Sequence, residues 1–206
     1  MQPFTWTPDH TLILASASPQ RRAILMQLGI AHVVRPTAAD EVEDGDPRQA
    51  VAENARRKAA AGKAALSLEE RARSIVLACD TVVALDGRIY GKPADAAQAR
   101  GHIGDLAGHT HEVLGAIAIA TPDGRVLEQT DVTSVTFASL TDPQVAAYVA
   151  SGEWVGRAGG YAIQGAGAAL VERIEGDYLN VVGLPVHALR ALVQGLVPPF
   201  GALDDR

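Results

Sequence analysis

Residues 74–85 read SIVLACDTVVAL, and this stretch decides the fold. Apolar side chains occupy both alternating faces around one carboxylate, Asp80, which predicts a strand that is covered on both sides at the centre of a sheet. Asp86-Gly87 follows directly and is typical of a hairpin turn. A buried carboxylate is costly unless a cation, a metal ion or hydrogen bonds compensate it. Asp80 is therefore either a metal ligand or general base at a cleft, or a structural acid bonded to loop amides.

The flanking sequence alternates between strand-like and helix-like stretches. Residues 11–15 form an apolar strand, after which Ser18 and Pro19 are a typical N-cap and first helical residue, and Gly29 ends that helix. The other predicted elements are helices over residues 47–65, 94–106, 143–151 and 185–196, strands over residues 111–120, 125–138 and 168–174, a glycine-dense loop over residues 156–167 and a frayed tail over residues 197–206. Strands joined by hairpins beside strands joined by helices predict an α/β protein with a mixed β-sheet flanked by helices.

Composition restricts the class of function. The 206 residues carry a net charge of −6 and are 4% aromatic, which argues against a nucleic-acid-binding module. No apolar run approaches the ~20 residues that span a bilayer, and the N-terminus lacks the basic start and apolar core of a signal peptide. A single cysteine, Cys79, allows no intrachain disulfide. We therefore expect a globular cytoplasmic protein with neither a membrane nor a nucleic-acid partner.

The turn at residues 16–22 combines two hydroxyls, free backbone N–H groups and two arginines at the start of a helix. This arrangement suits an anion, and a phosphate above all, because the positive end of the helix dipole lies there. The alternative is an ordinary N-cap beside solvated arginines. The sequence is not a P-loop, since the Gly-x-x-x-x-Gly-Lys pattern is missing.

Two lysines and two acids are further candidates for the chemistry. Lys92 lies between a glycine and a proline, on a stiff loop that could aim its ammonium group. Lys58 belongs to the basic helix over residues 47–65 and either binds an anion or forms part of a solvated face. Glu41 and Glu43 lie in an acidic loop, where they offer oxygen ligands for a hard cation such as Mg²⁺ or are ordinary surface acids.

Other residues support weaker hypotheses. Gln164 lies at the end of the glycine-dense loop, where its carboxamide could hydrogen-bond to the edge of a nucleobase. The three histidines His102, His109 and His111 lack a second ligand pair at metal-binding spacing, so we interpret them as structural. Cys79 points to the strand face opposite the carboxylate and is predicted to belong to the core.

Six spaced motifs occur in one order along almost the whole chain. They are LASASPQRR (residues 14–22), DE (residues 40–41, followed by Lys58), ACDTV (residues 78–82), GKP (residues 91–93), YAIQG (residues 161–165) and VGLP (residues 182–185). Together they resemble the Maf family of nucleoside triphosphate pyrophosphatases over residues 11–196. An ordered set of this kind is far more specific than any one of its motifs.

The resemblance implies a metal-dependent hydrolase that cleaves between the α- and β-phosphates and releases pyrophosphate and a nucleoside monophosphate. It also implies a single two-lobed domain over residues 1–206, akin to the inosine triphosphatases, and a homodimer. The residues that it assigns to phosphate binding are Ser16, Arg21, Lys58 and Lys92, of which the two lysines are also catalytic. It assigns Glu41 and Asp80 to a divalent cation, Mg²⁺ or Mn²⁺, and makes Asp80 the proton acceptor that activates water.

Three positions bear on the choice of base: Gln20, Thr81 and Gln164. The branch of the family that acts on dTTP and UTP carries Arg, Thr and Gln there, and the branch that acts on methylated GTP carries Trp, Gln and Glu, so Gln20 matches neither. A carboxamide at Gln164 complements the imide edge of uracil or thymine, and Gln20 offers no ring to stack on a cationic purine. We expect dTTP and UTP as substrates, with modified pyrimidine triphosphates in the same group. The alternatives are a different base preference, such as 7-methyl-GTP, and a nucleotide-binding regulator of septation with weak hydrolysis.

Overall fold

The computed structural model describes residues 10–194. The strands are β1 (Thr11–Leu14), β2 (Val33–Val34), β3 (Ser74–Leu85), β4 (Arg88–Tyr90), β5 (Thr110–Ala120), β6 (Val126–Phe137) and β7 (Val171–Glu175). The helices are α1 (Pro19–Gln27), α2 (Pro47–Ala64), α3 (Leu68–Arg73), α4 (Ala96–Leu106), α5 (Asp142–Ala150), α6 (Tyr178–Val182) and α7 (Val186–Gln194). Within this part of the chain, no helix has the length and apolar character needed to cross a membrane.

The strands form one mixed sheet in the order β2-β1-β3-β5-β6-β7, with β4 paired to β3. β1 runs parallel to β2 and β3, whereas β3, β5, β6 and β7 are successive antiparallel neighbours. In the register of β3 with β5, Asp80 lies opposite Ala116 and Thr81 lies opposite Gly115. The predicted α/β class with a mixed sheet is confirmed, and β3 is central in the sheet, as its double-sided apolar pattern requires.

Side-chain alternation along β3 sends neighbouring residues to different layers. Odd-numbered positions up to Cys79 pack with α1 and α7, and even-numbered positions such as Ala78 pack with α2. Asp80 therefore faces α2, and Thr81 faces the side of α1. Further along, Val83 belongs to a third apolar cluster that includes α4 and α5. On the face of Thr81, β3 thus passes from the first cluster to the third, and on the face of Asp80 the carboxylate interrupts the second cluster between Ala78 and Val82. A cleft opens at this point.

Helix α2 approaches β3 closely because its inner face carries small residues. Ala55, Ala59 and Gly62 are buried on this face, and a Cβ atom at Gly62 would lie only 2.9 Å from a methyl group of Val76. Glycine is therefore required where the helix crosses the strand. The close crossing brings the polar residues of the same helix within reach of the carboxylate on β3.

The elements predicted from the sequence do not include β2, α3 and α6. β2 has two residues and forms by pairing with β1, which no local pattern reveals. α3 begins with a capping box between Ser67 and Glu70, a signal that the sequence does carry. The predicted start of β7 at residue 168 is wrong, because Ala166–Leu170 forms a 3-10 turn before the strand. The predicted tail over residues 197–206 and the end of the last helix at residue 196 lie outside the described residues.

Candidate active site

A cleft of about 530 Å³ opens beside Asp80 and Thr81 of β3. Its wall includes every site residue predicted from the sequence, namely Ser16, Gln20, Arg21, Glu41, Lys58, Asp80, Thr81, Lys92 and Gln164. These side chains come from α1, α2, β3 and the loops between elements, so the tertiary fold is what gathers them. The roles that the resemblance assigns to them in binding and catalysis stay predictions.

Two side chains of α2 compensate the charge of Asp80, which is 5% exposed. Lys58 Nζ donates to Asp80 Oδ1 at 2.6 Å, and Asn54 Nδ2 donates to Asp80 Oδ2 at 3.0 Å. Both donors project from the same face of the helix because they are about one turn apart. A structural acid held by loop amides does not describe this site, since its partners are an ammonium group and a side-chain amide.

Asn54 also fixes the loop that carries Glu41. Asn54 Oδ1 accepts a hydrogen bond from the Val42 N–H at 2.6 Å, and Asn54 Nδ2 donates to the Val42 carbonyl at 3.0 Å. The side chain is buried, so these hydrogen bonds form away from bulk water, where they are electrostatically stronger. One amide thus ties the backbone beside Glu41 to the carboxylate of Asp80.

Lys58 bridges the two carboxylates of the cleft, since its Nζ also lies 2.7 Å from Glu41 Oε1. Lys92 Nζ lies 3.6 Å from Glu41 Oε2. Burial alone would raise the pKa of Glu41, but the hydrogen bonds and charges of Lys58 and Lys92 outweigh it and hold that pKa below its usual value. The Lys58 side chain is 11% exposed and the Lys92 side chain is 57% exposed. Lys58 is therefore part of the cleft wall, and Lys92 has more freedom to move toward a ligand.

The two carboxylates are suited to a hard divalent cation. Glu41 Oε1 and Asp80 Oδ1 lie 2.7 and 2.6 Å from the same nitrogen, Lys58 Nζ, so the two carboxylates are close neighbours. Mg²⁺ is commonly held by one or two carboxylates together with phosphates of the substrate. Within residues 10–194, no group of three or more His, Cys, Asp or Glu side chains could hold a metal ion alone. Glu43 does not line the cleft, so Glu41 is the acid that this loop contributes.

Arg21 organises the N-terminal turn of α1. Its guanidinium donates to Ser16 Oγ at 3.0 Å, to Thr81 Oγ1 at 3.2 Å and to the Gly183 carbonyl at 2.8 Å. These contacts join the end of β1, the middle of β3 and the connection between α6 and α7. Ser18 caps the helix by accepting from the Arg21 N–H at 3.4 Å. The turn is thus a helix cap, as one interpretation predicts, but Arg21 is held by protein groups rather than solvated.

The two glutamines predicted to select the base differ in their freedom. Gln20 Oε1 accepts from Ser18 Oγ at 3.1 Å, so the carbonyl half of this carboxamide is engaged. Gln164 is exposed, and its carboxamide has no hydrogen-bond partner within residues 10–194. A free carboxamide offers a ligand both a donor and an acceptor. Gln164 is therefore the better placed of the two for contact with a base.

Glu153 and Tyr148 hold the loop that carries Gln164. The Glu153 carboxylate accepts from the backbone N–H groups of Ala166 at 2.9 Å and Gly167 at 2.8 Å. The Tyr148 hydroxyl donates to Glu153 at 3.2 Å and accepts from the Ala162 N–H at 3.1 Å. Burial raises the pKa of Tyr148 to about 12, so the hydroxyl keeps its proton at neutral pH. The loop is thus held at both ends although Gln164 itself is unbound.

The histidines and the cysteine lie away from the cleft. His111 Nε2 is 2.8 Å from the Tyr161 hydroxyl, and burial lowers the pKa of His111 to about 4. His102 is buried edge-on against Tyr90, and none of the three histidines lines the cleft. Cys79 is fully buried in the core, where burial raises the pKa of its thiol to about 11. The structural interpretation of these residues is consistent with all of these contacts.

Sequence reasoning missed three residues of this site, which are Asn54, Glu153 and Arg157. Asn54 carries a usable signal, since it lies one helical turn before Lys58 on the face that meets the strand. Arg157 lines the cleft. It lies in the same glycine-dense loop as Gln164, so its position in the sequence carries the same signal. Glu153 acts on backbone groups of a distant turn, and no sequence pattern points to such a contact.

The α/β fold thus positions a cleft that is lined by cations and carboxylates. The chain matches the family described as Maf-like protein over residues 11–196 and belongs to the Maf family. A protein of Gloeobacter violaceus named dTTP/UTP pyrophosphatase is 46% identical to it, over 86% of this chain and 92% of that protein. A protein of Hyphomonas neptunium with the same name is 42% identical, over 90% of this chain and 95% of that protein.

Solved structures support the fold independently. The Staphylococcus aureus Ham1 protein superimposes with a TM-score of 0.52 at 18% sequence identity, covering 91% of this chain and 100% of that chain. At this level of identity the likeness concerns the fold alone. The family and the fold class expected from the sequence are both confirmed.

Proposed function

We propose that this protein hydrolyses dTTP and UTP to the nucleoside monophosphate and pyrophosphate, with Mg²⁺ or Mn²⁺ as cofactor. The observation that carries the proposal is that one cleft holds two carboxylates bridged by Lys58 together with the free carboxamide of Gln164. The relatives named dTTP/UTP pyrophosphatase support the same substrates. They also confirm the enzyme class expected from the sequence, a nucleotide pyrophosphatase.

In this reaction a water oxygen forms a bond to the α-phosphorus. The bond from that phosphorus to the oxygen bridging to the β-phosphate breaks, and pyrophosphate leaves with the electron pair. Asp80 accepts the proton of the water, since each of its oxygens has one donor neighbour and keeps a lone pair. A divalent cation bound by Glu41 and Asp80 would neutralise phosphate oxygens and lower the pKa of the water.

The two lysines of the cleft differ in how firmly they are held. Lys58 is committed to Glu41 and Asp80, so it keeps both carboxylates in place while it faces the cleft. Lys92 contacts Glu41 at the longer distance of 3.6 Å and is mostly exposed, so a phosphate can recruit it at little cost. Stabilising charge on the leaving group is the main task of a protein in phosphoryl transfer.

Base selection rests on Gln164 in this proposal. Its carboxamide pairs with the imide edge of uracil or thymine, which presents one donor between two acceptors. Thr81 Oγ1 accepts from Arg21, which leaves its hydroxyl proton free to donate to the substrate. Modified pyrimidines that keep this imide edge would be accepted on the same grounds.

The cleft offers little to a methylated purine. Tyr161 is the aromatic side chain that lines it within residues 10–194, and this ring is buried with its hydroxyl bound to His111. A cationic purine such as 7-methylguanine gains from stacking on an exposed aromatic face. The observation favours dTTP and UTP over 7-methyl-GTP.

Pyrophosphate release from a panel of triphosphates tests the proposal. The panel contains dTTP, UTP, CTP, GTP, ITP, 7-methyl-GTP and modified pyrimidine triphosphates, each with Mg²⁺, with Mn²⁺ and with EDTA. We expect turnover of dTTP and UTP that is lost in EDTA. Preference for another base would assign Gln20 to the specificity site. Tight nucleotide binding without turnover of any substrate would replace the enzyme by a nucleotide-binding regulator.

We further propose that the protein acts as a homodimer in the cytoplasm and binds neither nucleic acid nor membranes. The dimer rests on the family resemblance, the location is the expectation drawn from the sequence, and the net charge of −6 supports the absence of a nucleic-acid partner. Light scattering on the purified protein tests the dimer, for which we expect twice the 21.5 kDa mass of the chain. Salt-sensitive binding to RNA would contradict the last point.

A further inference from the structure

Arg157 is a cationic cleft residue outside the set predicted from the sequence. It precedes the 3-10 turn Ala158–Gly160 and lines the cleft. Its Nε atom is buried and has no hydrogen-bond acceptor within residues 10–194. Buried polar groups in folded proteins are nearly always paired, so an unpaired guanidinium N–H beside a ligand cleft calls for an explanation.

The backbone that carries Arg157 is fixed against the segment that carries Lys92. The Gly159 N–H donates to the Gly91 carbonyl at 3.1 Å. A Cβ atom at Gly159 would lie 2.9 Å from Val83, so only glycine allows the turn to pack this closely on β3. Arg157 and Lys92 therefore belong to two adjoining segments that are held together in one arrangement.

The other cations of the cleft already have partners. Arg21 binds two hydroxyls and a carbonyl, Lys58 binds two carboxylates, and Lys92 lies beside Glu41. Arg157 forms no ion pair with any residue in the described part of the chain. It is thus the cleft cation that has neither an ion pair nor a hydrogen bond from its side chain among the described residues.

Charge complementarity points to the same conclusion. Four cationic side chains and two carboxylates of the described residues line the cleft, which leaves an excess of two positive charges. A nucleoside triphosphate carries about four negative charges near neutral pH, and a divalent cation cancels about two of them. The remaining charge of the substrate matches the cleft only when Arg157 is counted.

We propose that Arg157 binds the phosphate groups that leave as pyrophosphate. The inference rests on the proposed function, because it assigns Arg157 to the leaving group of that reaction. Lys58 contacts Asp80, where the attacking water is activated, whereas Lys92 contacts the far oxygen of Glu41. We therefore assign Arg157, whose segment is bonded to that of Lys92, to the departing phosphates rather than to the attacking water. A guanidinium suits this task because its N–H groups match two phosphate oxygens at once.

Calorimetric titration with inorganic pyrophosphate and tripolyphosphate tests the proposal without turnover. Arg157→Gln removes the charge, Arg157→Lys keeps it, and Arg173→Gln is the matched control, an exposed arginine of β7 that is not part of the cleft. We expect Arg157→Gln to weaken pyrophosphate binding roughly 10- to 100-fold, the loss of a hydrogen bond to a charged group. Arg157→Lys restores part of the affinity, and Arg173→Gln has no effect.

Titration with UMP separates a phosphate contact from a contact with the base. We expect Arg157→Gln to change UMP affinity less than about threefold, since the departing phosphates are absent from UMP. Unchanged pyrophosphate affinity, no pyrophosphate binding by the wild type, or a loss confined to UMP would each overturn the inference. If the wild type turns over UTP and Arg157→Gln binds pyrophosphate as the wild type does, only the role assigned to Arg157 is refuted. A pyrophosphate site that depends on Arg157 in a protein without turnover refutes the proposed function alone.

Discussion

Asp80 and Gln164 line the same cleft but are held in opposite ways. Asp80 is 5% exposed and bound by Lys58 and Asn54, so its position follows from the crossing of α2 and β3. Gln164 is exposed and unbound within residues 10–194, and only the backbone around it is fixed, by Glu153. The groups assigned to chemistry are thus preorganised by secondary structure, and the group assigned to recognition is one replaceable side chain on a supported loop.

The difference has an energetic basis. A buried carboxylate must be compensated in the folded protein itself, so each of its partners is needed for stability as well as for function. An exposed carboxamide is solvated when the cleft is empty and exchanges water for a ligand at small net cost. Substitutions around Asp80 should therefore change both activity and stability, whereas a substitution at Gln164 should change substrate recognition alone. Four experiments measure that difference.

Asp80→Asn should have the largest effect. An amide is nearly isosteric with the carboxylate but cannot accept a proton from water, so we expect kcat to fall by about 10³-fold or more. Circular dichroism should show an unchanged fold, and Asp105→Asn, which removes an exposed carboxylate outside the cleft, should keep full activity. A kcat within about tenfold of the wild type would remove Asp80 from the role of proton acceptor.

Lys58→Met and Lys92→Met should separate function from stability. Both remove a cation from the cleft, and we expect both to lower kcat. Only Lys58→Met leaves the buried carboxylate of Asp80 without its ion pair, so it should also lower the free energy of unfolding by about 3 kcal/mol. Lys92 is largely exposed, and its loss should lower that free energy by less than about 1 kcal/mol. Urea unfolding of both variants measures the contrast, and equal destabilisation by both would contradict it.

The sequence carries more information about the surroundings of Asp80 than about the loop that carries Gln164. The apolar run around Asp80 predicts a buried central strand and an acid that needs compensation, and the structure contains both. The identity of the compensating groups depends on how closely α2 crosses β3, which small residues on that helix permit but do not specify. The support of the Gln164 loop comes from Glu153 and backbone N–H groups, and a contact of this kind leaves no periodic trace in the sequence. The short strand β2 was missed for the same reason, because it exists only through its pairing with β1.

Asn54→Leu tests whether catalysis by Asp80 and Glu41 depends on a residue that positions them and is not assigned a contact with the substrate. Leucine has a similar shape but holds neither Asp80 nor the Val42 backbone, so both carboxylates of the cleft lose their alignment. We expect kcat to fall about 10- to 100-fold with KM changed less than about threefold, as for other residues that orient catalytic groups. Asn54→Asp would place a second carboxyl group against Asp80, where the two would share a proton, so Asn54→Leu is the cleaner variant. Full activity of Asn54→Leu would show that the hydrogen bond to Asp80 is dispensable.

Gln164→Glu should have the smallest effect, and that effect should be limited to recognition of the base. A carboxylate accepts hydrogen bonds but donates none, so it repels one carbonyl oxygen of the imide edge and loses the bond to it. Because Gln164 is exposed, we expect kcat/KM for UTP to fall only about tenfold, while stability and inhibition by tripolyphosphate stay unchanged. Gln129→Glu adds the same charge on β6, away from the cleft, and is the control. Weaker tripolyphosphate inhibition in Gln164→Glu would mean that this side chain acts on the phosphates. The division between residues for chemistry around Asp80 and a residue for base recognition at Gln164 would then be wrong.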